Sequence, residues 1–211
     1  LPWWKVDQSK VKLPFAGYMA LHLTLMAKFR DQIAAADSGA FWIGASFPDV
    51  INAVLNRTGY GPDCGIGNVQ EPIAKIQAGV AQAVHCAPHE VGVQLVAQHA
   101  FEYYVLNDDC PATLPPYLMK ATVGDRDVTE IANQVLRAPF HFPYDLGFNR
   151  VTASAGVAAL RALTADRKTP VHLPGIGSLI GGYPALANRS GVEISLPSEW
   201  TLEQAIATNE A

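Results

Sequence analysis

Apolar side chains at alternating spacings of four and three residues mark the first predicted helix, from Leu13 to about Ala36. Such spacing places one apolar stripe on a helix of about 3.6 residues per turn. Asp37-Ser38-Gly39 follows and predicts the end of this helix. The next apolar run, residues 41–45, is short and predicts a buried strand. The stripe consists of Phe15, Met19, His22, Met26, Phe29 and Ile33.

The remaining pattern predicts short helices and strands up to the end of the chain. Pro48 suits the first turn of a helix that reaches about Thr58. Alternating apolar positions predict a strand over residues 91–99, and Thr201 with Gln204 forms a capping box that opens the last helix. The other predicted elements are strands at 64–66, 117–123, 171–173, 184–187 and 192–196, helices at 71–84, from Asp127 or Thr129 to about Arg137, and 151–165, and a loop at 139–149.

This order of elements predicts an α/β segment followed by an α+β segment. The first sixty residues follow the order helix–strand–helix, as in layered α/β folds, whereas helices and strands mix less regularly afterwards. A soft boundary near residue 88 divides the chain into segments 1–88 and 89–211.

The 211 residues include 15 Lys and Arg against 19 Asp and Glu, a formal net charge of −4. This balance argues against binding to a nucleic-acid backbone, which needs a basic face. The 49% hydrophobic content argues for a buried core and against disorder. We find neither an apolar run of about 18 residues for a membrane span nor a secretory signal. Three cysteines at irregular spacing argue against a disulfide framework and predict a reducing, cytoplasmic compartment.

Two segments are candidates for chemistry. His99 lies where a predicted strand ends, a place at which α/β folds carry reactive groups. A histidine there can act as a general acid or base; the alternative is a core or hydrogen-bonded loop histidine. In Gly65-Ile66-Gly67-Asn68, two glycines let the backbone approach a ligand and Asn68 offers a donor and an acceptor. The alternative for this segment is an ordinary turn before a helix.

The sequence predicts no metal site. His85 and His89 are four residues apart, but Pro88 between them breaks the helix that such a pair requires. The Walker loop, the G-x-S-x-G nucleophile elbow and the Cys-x-x-Cys pair are also absent from the sequence.

Three segments, taken in order, resemble the lactate/malate dehydrogenase superfamily. A strand, Ser46-Phe47-Pro48-Asp49, a helix and Gly65-Ile66-Gly67 are similar to its Asn-Pro motif and to the Gly-x-Gly before its long helix. Leu95-Val96-Ala97-Gln98-His99 resembles its Gly-Glu-His motif. The resemblance implies the end of a Rossmann-like parallel sheet, then a mixed α+β domain of the lactate dehydrogenase C-terminal type. Its last part rests on Val151-Thr152-Ala153-Ser154-Ala155, Val171, Gly182-Tyr183-Pro184 and Ser190-Gly191-Val192-Glu193.

The resemblance further implies an oxidoreductase that uses NAD or NADP on a small hydroxy or keto substrate. His99 stands where the family has its catalytic acid/base, and Glu71 where it has the carboxylate that orients this histidine. The expected substrate-binding residues are Asn68, Thr152 and Ser154, and the expected cofactor-binding residues are Ser46 and Pro48.

The departures from the family pattern support an alternative, a non-catalytic structural or interaction subunit of a dehydrogenase-like assembly. Ala74 replaces an arginine that clamps the substrate carboxylate, which argues against a simple 2-hydroxy acid. Phe47 replaces the asparagine of the Asn-Pro motif. The glycine fingerprint of the first Rossmann half is missing and the chain begins without Met, so we expect a processed chain or a piece of something longer.

A parallel sheet that lacks the first Rossmann half would have an unpaired edge strand, which promotes aggregation unless another chain or segment packs on it. We therefore expect a homo-oligomer or a partner chain that supplies the N-terminal half. A metal- and NAD-assisted lyase or glycosidase, with His99 as a ligand, is a third interpretation of the same residues.

Overall fold

The computed structural model describes residues 19–141 and 147–211. The helices are α1 (Met19–Ala36), α2 (Pro48–Arg57), α3 (Gln70–Val84), α4 (His99–Val105), α5 (Thr129–Arg137), α6 (Phe148–Thr164) and α7 (Leu202–Glu210). The strands are β1 (Ile43–Gly44), β2 (Cys64–Gly65), β3 (Val91–Ala97), β4 (Tyr117–Val123), β5 (Arg126–Asp127), β6 (Thr169–Pro174), β7 (Gly182–Asn188) and β8 (Gly191–Ile194). Within these ranges, no helix combines the length and the apolar character that a bilayer crossing requires.

Two sheets organise these elements. β1 and β2 pair in parallel, with Ile43 opposite Cys64 and Gly44 opposite Gly65. The larger sheet is antiparallel, with strand order β5-β4-β3-β7-β6 and with β8 added to β7. A parallel segment followed by a mixed α+β segment is therefore present, as predicted. Within the described residues, the parallel segment has two short strands.

The main core joins α3, β3, β4 and α5 into one cluster. Ile76 and Val80 of α3, Leu95 of β3 and Ala121 of β4 are fully buried in it. Because this core takes residues from both sides of position 88, no break in packing marks the boundary there, and the division into two segments stays a prediction.

Each predicted element has a described counterpart of the same type, but α4 and β5 were not predicted. Residues 13–18 of the first predicted helix and 142–146 of the predicted loop lie outside the described residues, and α6 begins within that loop range at Phe148. The strand predicted over 91–99 is present but ends at Ala97, and His99 begins α4, so the predicted end of this strand was wrong. Phe101 and Val105, four residues apart, are both fully buried in the main core, and a helical turn is the conformation that places them on one face.

A buried histidine joins β3 to β6 in the large sheet. β3 pairs with β7 at one position, where Ala97 lies opposite Gly182. Nearby, the Leu95 N–H of β3 donates to Nε2 of His172 on β6 at 3.1 Å. Burial lowers the pKa of His172 to about 3. The imidazole is therefore neutral at physiological pH and serves as an acceptor for the backbone.

His172 predicts a loss of stability in mild acid. The unfolded chain takes up a proton on this histidine near pH 6.5, whereas the folded protein takes it up only near its pKa of about 3, so stability falls as pH drops below 6.5. Between pH 7 and pH 5 we expect this group to remove about 2 kcal/mol from the free energy of unfolding, measured in urea.

His172→Gln is the matched control, because the amide oxygen still accepts from Leu95 but does not titrate. The variant should lose less stability than the wild type between the two pH values. Equal losses in both proteins would show that His172 does not contribute to the acid sensitivity.

Candidate functional site

A buried carboxylate and a partly exposed imidazole meet at the carboxyl end of the small parallel sheet. Asp49 is the second residue of α2 and His99 the first residue of α4. Asp49 Oδ2 and His99 Nδ1 are 2.9 Å apart, a distance at which the ring N–H donates to the carboxylate. The Asp49 side chain is 3% exposed and that of His99 is 30% exposed. Asp49 is therefore held inside the protein, whereas part of the His99 side chain is in contact with solvent.

The turn into α2 brings Asp49 to this place. Phe47 adopts a left-handed conformation with φ 46°, and Pro48 then occupies the first turn of the helix. The Phe47 carbonyl accepts from Val50 and Ile51 N–H groups, which fixes the start of α2. A carboxylate in the first helical turn is also stabilised by the positive end of the helix dipole.

The start of α3 holds the other side of Asp49. Asn68, which is 2% exposed, donates from Nδ2 to Asp49 Oδ1. Val69 has φ 68°, an unusual conformation for a β-branched residue, and its N–H donates to Glu102 Oε1 at 2.7 Å. Strained backbone of this kind persists where surrounding contacts fix it. Here those contacts join the start of α3 to α2 and to α4.

Two further buried carboxyl groups lie within electrostatic reach of His99. Glu71 is 7% exposed and Glu102 is 6% exposed. Burial raises the pKa of Glu71, although the Thr152 hydroxyl and the charge of His99 act in the opposite direction. Burial also raises the pKa of Glu102, with the charge of Glu71 as the next contribution. Both carboxyl groups therefore resist ionisation more than ordinary glutamates.

The acidic surroundings keep His99 protonated. Burial opposes the charged ring, but the hydrogen bond to Asp49 and the charges of Asp49, Glu102 and Glu71 outweigh it and raise the pKa of His99 to about 9. At neutral pH the imidazolium form therefore dominates, and the group is poised to donate a proton.

Aromatic rings flank the imidazole. The ring centroid of Phe47 lies 5.9 Å and that of Tyr103 lies 6.1 Å from the centroid of His99. His22 of α1 packs edge-on against Phe47 at 4.7 Å. The proton donor thus has two aromatic rings as close neighbours.

The structure brings four of the sequence-predicted site residues together. His99 and Asn68 both bond to Asp49, and a Cβ on Gly67 would lie 3.5 Å from Glu71 Oε1 and 4.0 Å from Thr152 Cγ2. Glu71 does not take the role that the resemblance gives it, because the Nδ1 hydrogen bond of His99 goes to Asp49. Glu71 acts on His99 through its charge instead.

The other three predicted residues are placed differently. Ser154 is exposed on α6. The Ser46 hydroxyl is 2.6 Å from His22 Nδ1, so it is already hydrogen-bonded within the protein. Pro48 is buried, and a Cβ added at Gly65 would lie only 2.1 Å from the Cβ of Pro48. Pro48 therefore packs inside the fold.

Sequence reasoning missed Asp49 and Glu102. Asp49 directly follows Phe47-Pro48 and Glu102 lies three residues after His99, but neither spacing pairs a carboxyl group with the imidazole. His85 and His89, considered above for metal binding, are separated by the end of α3 and the start of a 3-10 turn at Pro88. Across residues 19–141 and 147–211, no three His, Cys, Asp or Glu side chains are grouped as metal ligands.

Comparisons with known proteins identify the fold. Neither a protein-family model nor a curated protein matches this chain. Among solved structures, the malate dehydrogenase from Aeropyrum pernix is similar, with a TM-score of 0.60 at 15% identity. The match covers 89% of this chain and 68% of that one. The chain therefore has a dehydrogenase-like fold.

Proposed function

We propose that this chain supplies the acid/base centre of an oxidoreductase that interconverts a small hydroxy compound and the corresponding keto compound. The observation that carries the proposal is the 2.9 Å contact between Asp49, which is buried, and His99, which is partly exposed and whose pKa this contact raises. A catalytic acid needs this combination of a held proton and access to a substrate.

The two residues have separate roles. His99 is the catalytic residue, because its imidazolium donates a proton to the developing alkoxide as a carbonyl is reduced, and takes the proton back in oxidation. Asp49 is a positioning residue that fixes the ring and its tautomer and stabilises its positive charge. Asn68 in turn holds Asp49 through the second carboxylate oxygen.

A nicotinamide cofactor, NAD or NADP, supplies or accepts the hydride in reactions of this kind. The residues after β1 suit its ring end, because Ala45 is exposed there and the Phe47 ring lies beside His99. Ser46 and Pro48 fit less well, since the Ser46 hydroxyl is bonded within the protein and Pro48 is buried. No G-x-G-x-x-G loop occurs in this sequence, so in this proposal a segment outside it holds the phosphates, either on a partner chain or in further sequence of the same protein.

The second candidate is a non-catalytic subunit of a dehydrogenase-like assembly. Ala74, on the helix that begins beside Asn68, favours it, because the alanine offers no charge to a substrate carboxylate. A subunit that retained the fold and lost the chemistry would also have no need of the cofactor loop.

Native mass spectrometry of the purified protein, without added ligand, separates the two candidates. A bound dinucleotide supports the enzyme. A second polypeptide alone fits both candidates, so NADH-dependent reduction of small ketones is then measured on that assembly and decides between them. The bare chain or its simple multiples, without nucleotide and without turnover, would support the non-catalytic subunit.

Asp49→Asn tests the positioning role. We expect the pKa of His99 to fall from about 9 toward 6.5 or lower, because burial continues to oppose the charged ring after its main partner has become neutral. Titration of the imidazole protons by NMR measures this value. Reduction at neutral pH should slow by about tenfold or more, since less of the ring is protonated and its tautomer is no longer fixed.

Asp108→Asn is the control. It removes another histidine–carboxylate contact, 3.1 Å long, from the exposed pair formed with His141. We expect the titration of His99 and the reduction rate to stay as in the wild type. If Asp49→Asn also left them unchanged, Asp49 would have no positioning role.

A further inference from the structure

We propose that Glu102 is a positioning residue that closes a hydrogen-bond network around the starts of α2, α3 and α4 and so holds His99 against Asp49. The inference rests on the proposed function, because it concerns the orientation of the catalytic residue. It gives a role to a buried carboxyl group that the proton transfer itself does not use. The closed network consists of His99, Asp49, Asn68, Val69 and Glu102.

Hydrogen bonds join the members of the closed network one after another. His99 Nδ1 lies 2.9 Å from Asp49 Oδ2, and the other oxygen of this carboxylate accepts from Asn68 Nδ2. The Asn68 side-chain oxygen accepts from the Val69 N–H at 2.6 Å, and Glu102 Oε1 accepts from the same N–H at 2.7 Å. Glu102 lies three residues after His99 on α4, a spacing that places both side chains on one side of the helix. The helix itself therefore closes the network.

Asn68 passes the position of the Val69 N–H on to Asp49. An amide side chain has its acceptor oxygen and its donor nitrogen side by side in one plane. Here the oxygen bonds to the Val69 N–H and the nitrogen bonds to the Asp49 carboxylate, so both halves of the amide are engaged. A shift of the Val69 N–H therefore turns the amide and moves the carboxylate that orients His99.

Val69 is the member whose backbone needs a hold from outside. Its φ of 68° is an outlier for a β-branched residue, and such a conformation persists only where surrounding contacts fix it. The side chain is fully buried against β7, where a Cβ added at Gly182 would lie 2.4 Å from Val69 Cγ2. That packing fixes the side chain, and the Glu102 carboxyl group fixes the N–H.

Burial makes the Glu102 contact hard to replace. Asp49, Asn68, Val69 and Glu102 are all buried, so water does not readily take the place of a lost partner. Burial also raises the pKa of Glu102 to about 8, so the carboxyl group is mostly neutral at pH 7. Its main contribution to the closed network at that pH is therefore that of a hydrogen-bond acceptor at a fixed place.

Glu102→Gln and Glu102→Asp separate position from charge. Glutamine has the length of glutamate and an oxygen that accepts from Val69, but it cannot ionise. Aspartate keeps the carboxyl group but is one carbon shorter, which withdraws the acceptor by about 1.5 Å. At pH 7, the rate at which the His99 Nδ1 proton exchanges with water, measured by NMR, reports how often the contact with Asp49 opens. We expect Glu102→Gln to retain the wild-type rate and Glu102→Asp to raise it by about tenfold.

Glu90→Asp is the matched control. Glu90 Oε2 accepts from the Ala87 N–H at 2.7 Å, the same length as the Glu102 bond, but in the 3-10 turn after α3. This variant should leave the exchange rate of the His99 proton unchanged. An equal rise in Glu90→Asp and Glu102→Asp, or a tenfold rise in Glu102→Gln, would overturn the proposal.

Asn68→Ala breaks the closed network at a second link and keeps the test decisive if Glu102→Asp does not fold. Because Glu102 acts on Asp49 through Asn68, this variant should raise the exchange rate of the His99 proton by about tenfold as well. A wild-type rate in either folded variant would overturn the proposal.

Kinetics on the purified assembly separate this inference from the proposed function. In the reduction of a small ketone, Glu102→Asp should lower kcat by about tenfold with little change in KM, because the imidazole is less often oriented for proton transfer. The expected exchange rates without any turnover would keep the closed network and overturn the oxidoreductase. Turnover with exchange rates that do not respond to Glu102→Asp would keep the oxidoreductase and overturn the role of Glu102.

Discussion

Replacing His99 with Gln is expected to lower kcat for the NADH-dependent reduction of a small ketone by about two to four orders of magnitude. The glutamine amide can donate a hydrogen bond to a carbonyl oxygen but cannot transfer a proton to it. Since the His99 side chain is 30% exposed, the fold should tolerate the change, and thermal unfolding followed by circular dichroism checks this. Steady-state kinetics on the purified assembly give kcat and KM separately.

The matched control is His141→Gln, which alters a histidine that also contacts an aspartate but lies 90% exposed. It should leave kcat unchanged. Full activity of the His99 variant would contradict the acid/base assignment and leave the non-catalytic subunit as the better account of the chain.

The pH profile carries an independent check on the same residue. Reduction uses protonated His99, so its rate should be level around neutral pH and fall as pH rises through about 9. Oxidation uses the neutral ring and should rise over the same interval. A reduction rate that already falls near pH 6.5 would mean that the acidic side chains do not act on the reacting group.

Elements whose signals are local were predictable from the sequence. Thr201 and Gln204 bond to each other's backbone N–H groups at 3.2 and 2.9 Å, as the capping-box pattern predicted. The same holds for α2, whose start follows from Pro48. In these cases the residues that determine the element lie within a few positions of each other. The sequence pattern alone therefore predicts the contact that the structure has.

The candidate site was predictable only in part, because its central contact joins residues that are distant in sequence. His99 was found from its place after a strand, but its partner Asp49 lies 50 positions away on another helix. No periodicity pairs two such positions. The family pattern pointed to Glu71 instead, since it places the orienting carboxylate on the helix after the glycines. The left-handed Phe47 turn, which brings Asp49 under the imidazole, has no signature in side-chain type.

A second large effect is expected at Gly175, which packs against Pro48 and Asn52 of α2. Gly175→Ala should lower the free energy of unfolding by about 4 kcal/mol. A Cβ at this position would lie 2.1 Å from the Pro48 carbonyl oxygen and 2.9 Å from Asn52 Nδ2. The Gly175 carbonyl also accepts from Asn52, and the Gly181 N–H donates to the Asp49 carbonyl. The glycine-rich segment therefore supports the turn of α2 that carries the carboxylate of the site, and urea unfolding measures the loss.

Gly177→Ala separates crowding from backbone conformation. Gly177 has φ 57° and Gly175 has φ 55°, but a Cβ on Gly177 would meet no atom within 4 Å. The left-handed conformation alone should cost the Gly177 variant about 1 kcal/mol, so the difference between the two variants isolates the contact with α2. Equal losses would contradict a supporting contact. If the contact supports the site, the folded fraction of Gly175→Ala should also show an altered His99 titration, because displacing Pro48 moves Asp49 away from the imidazole.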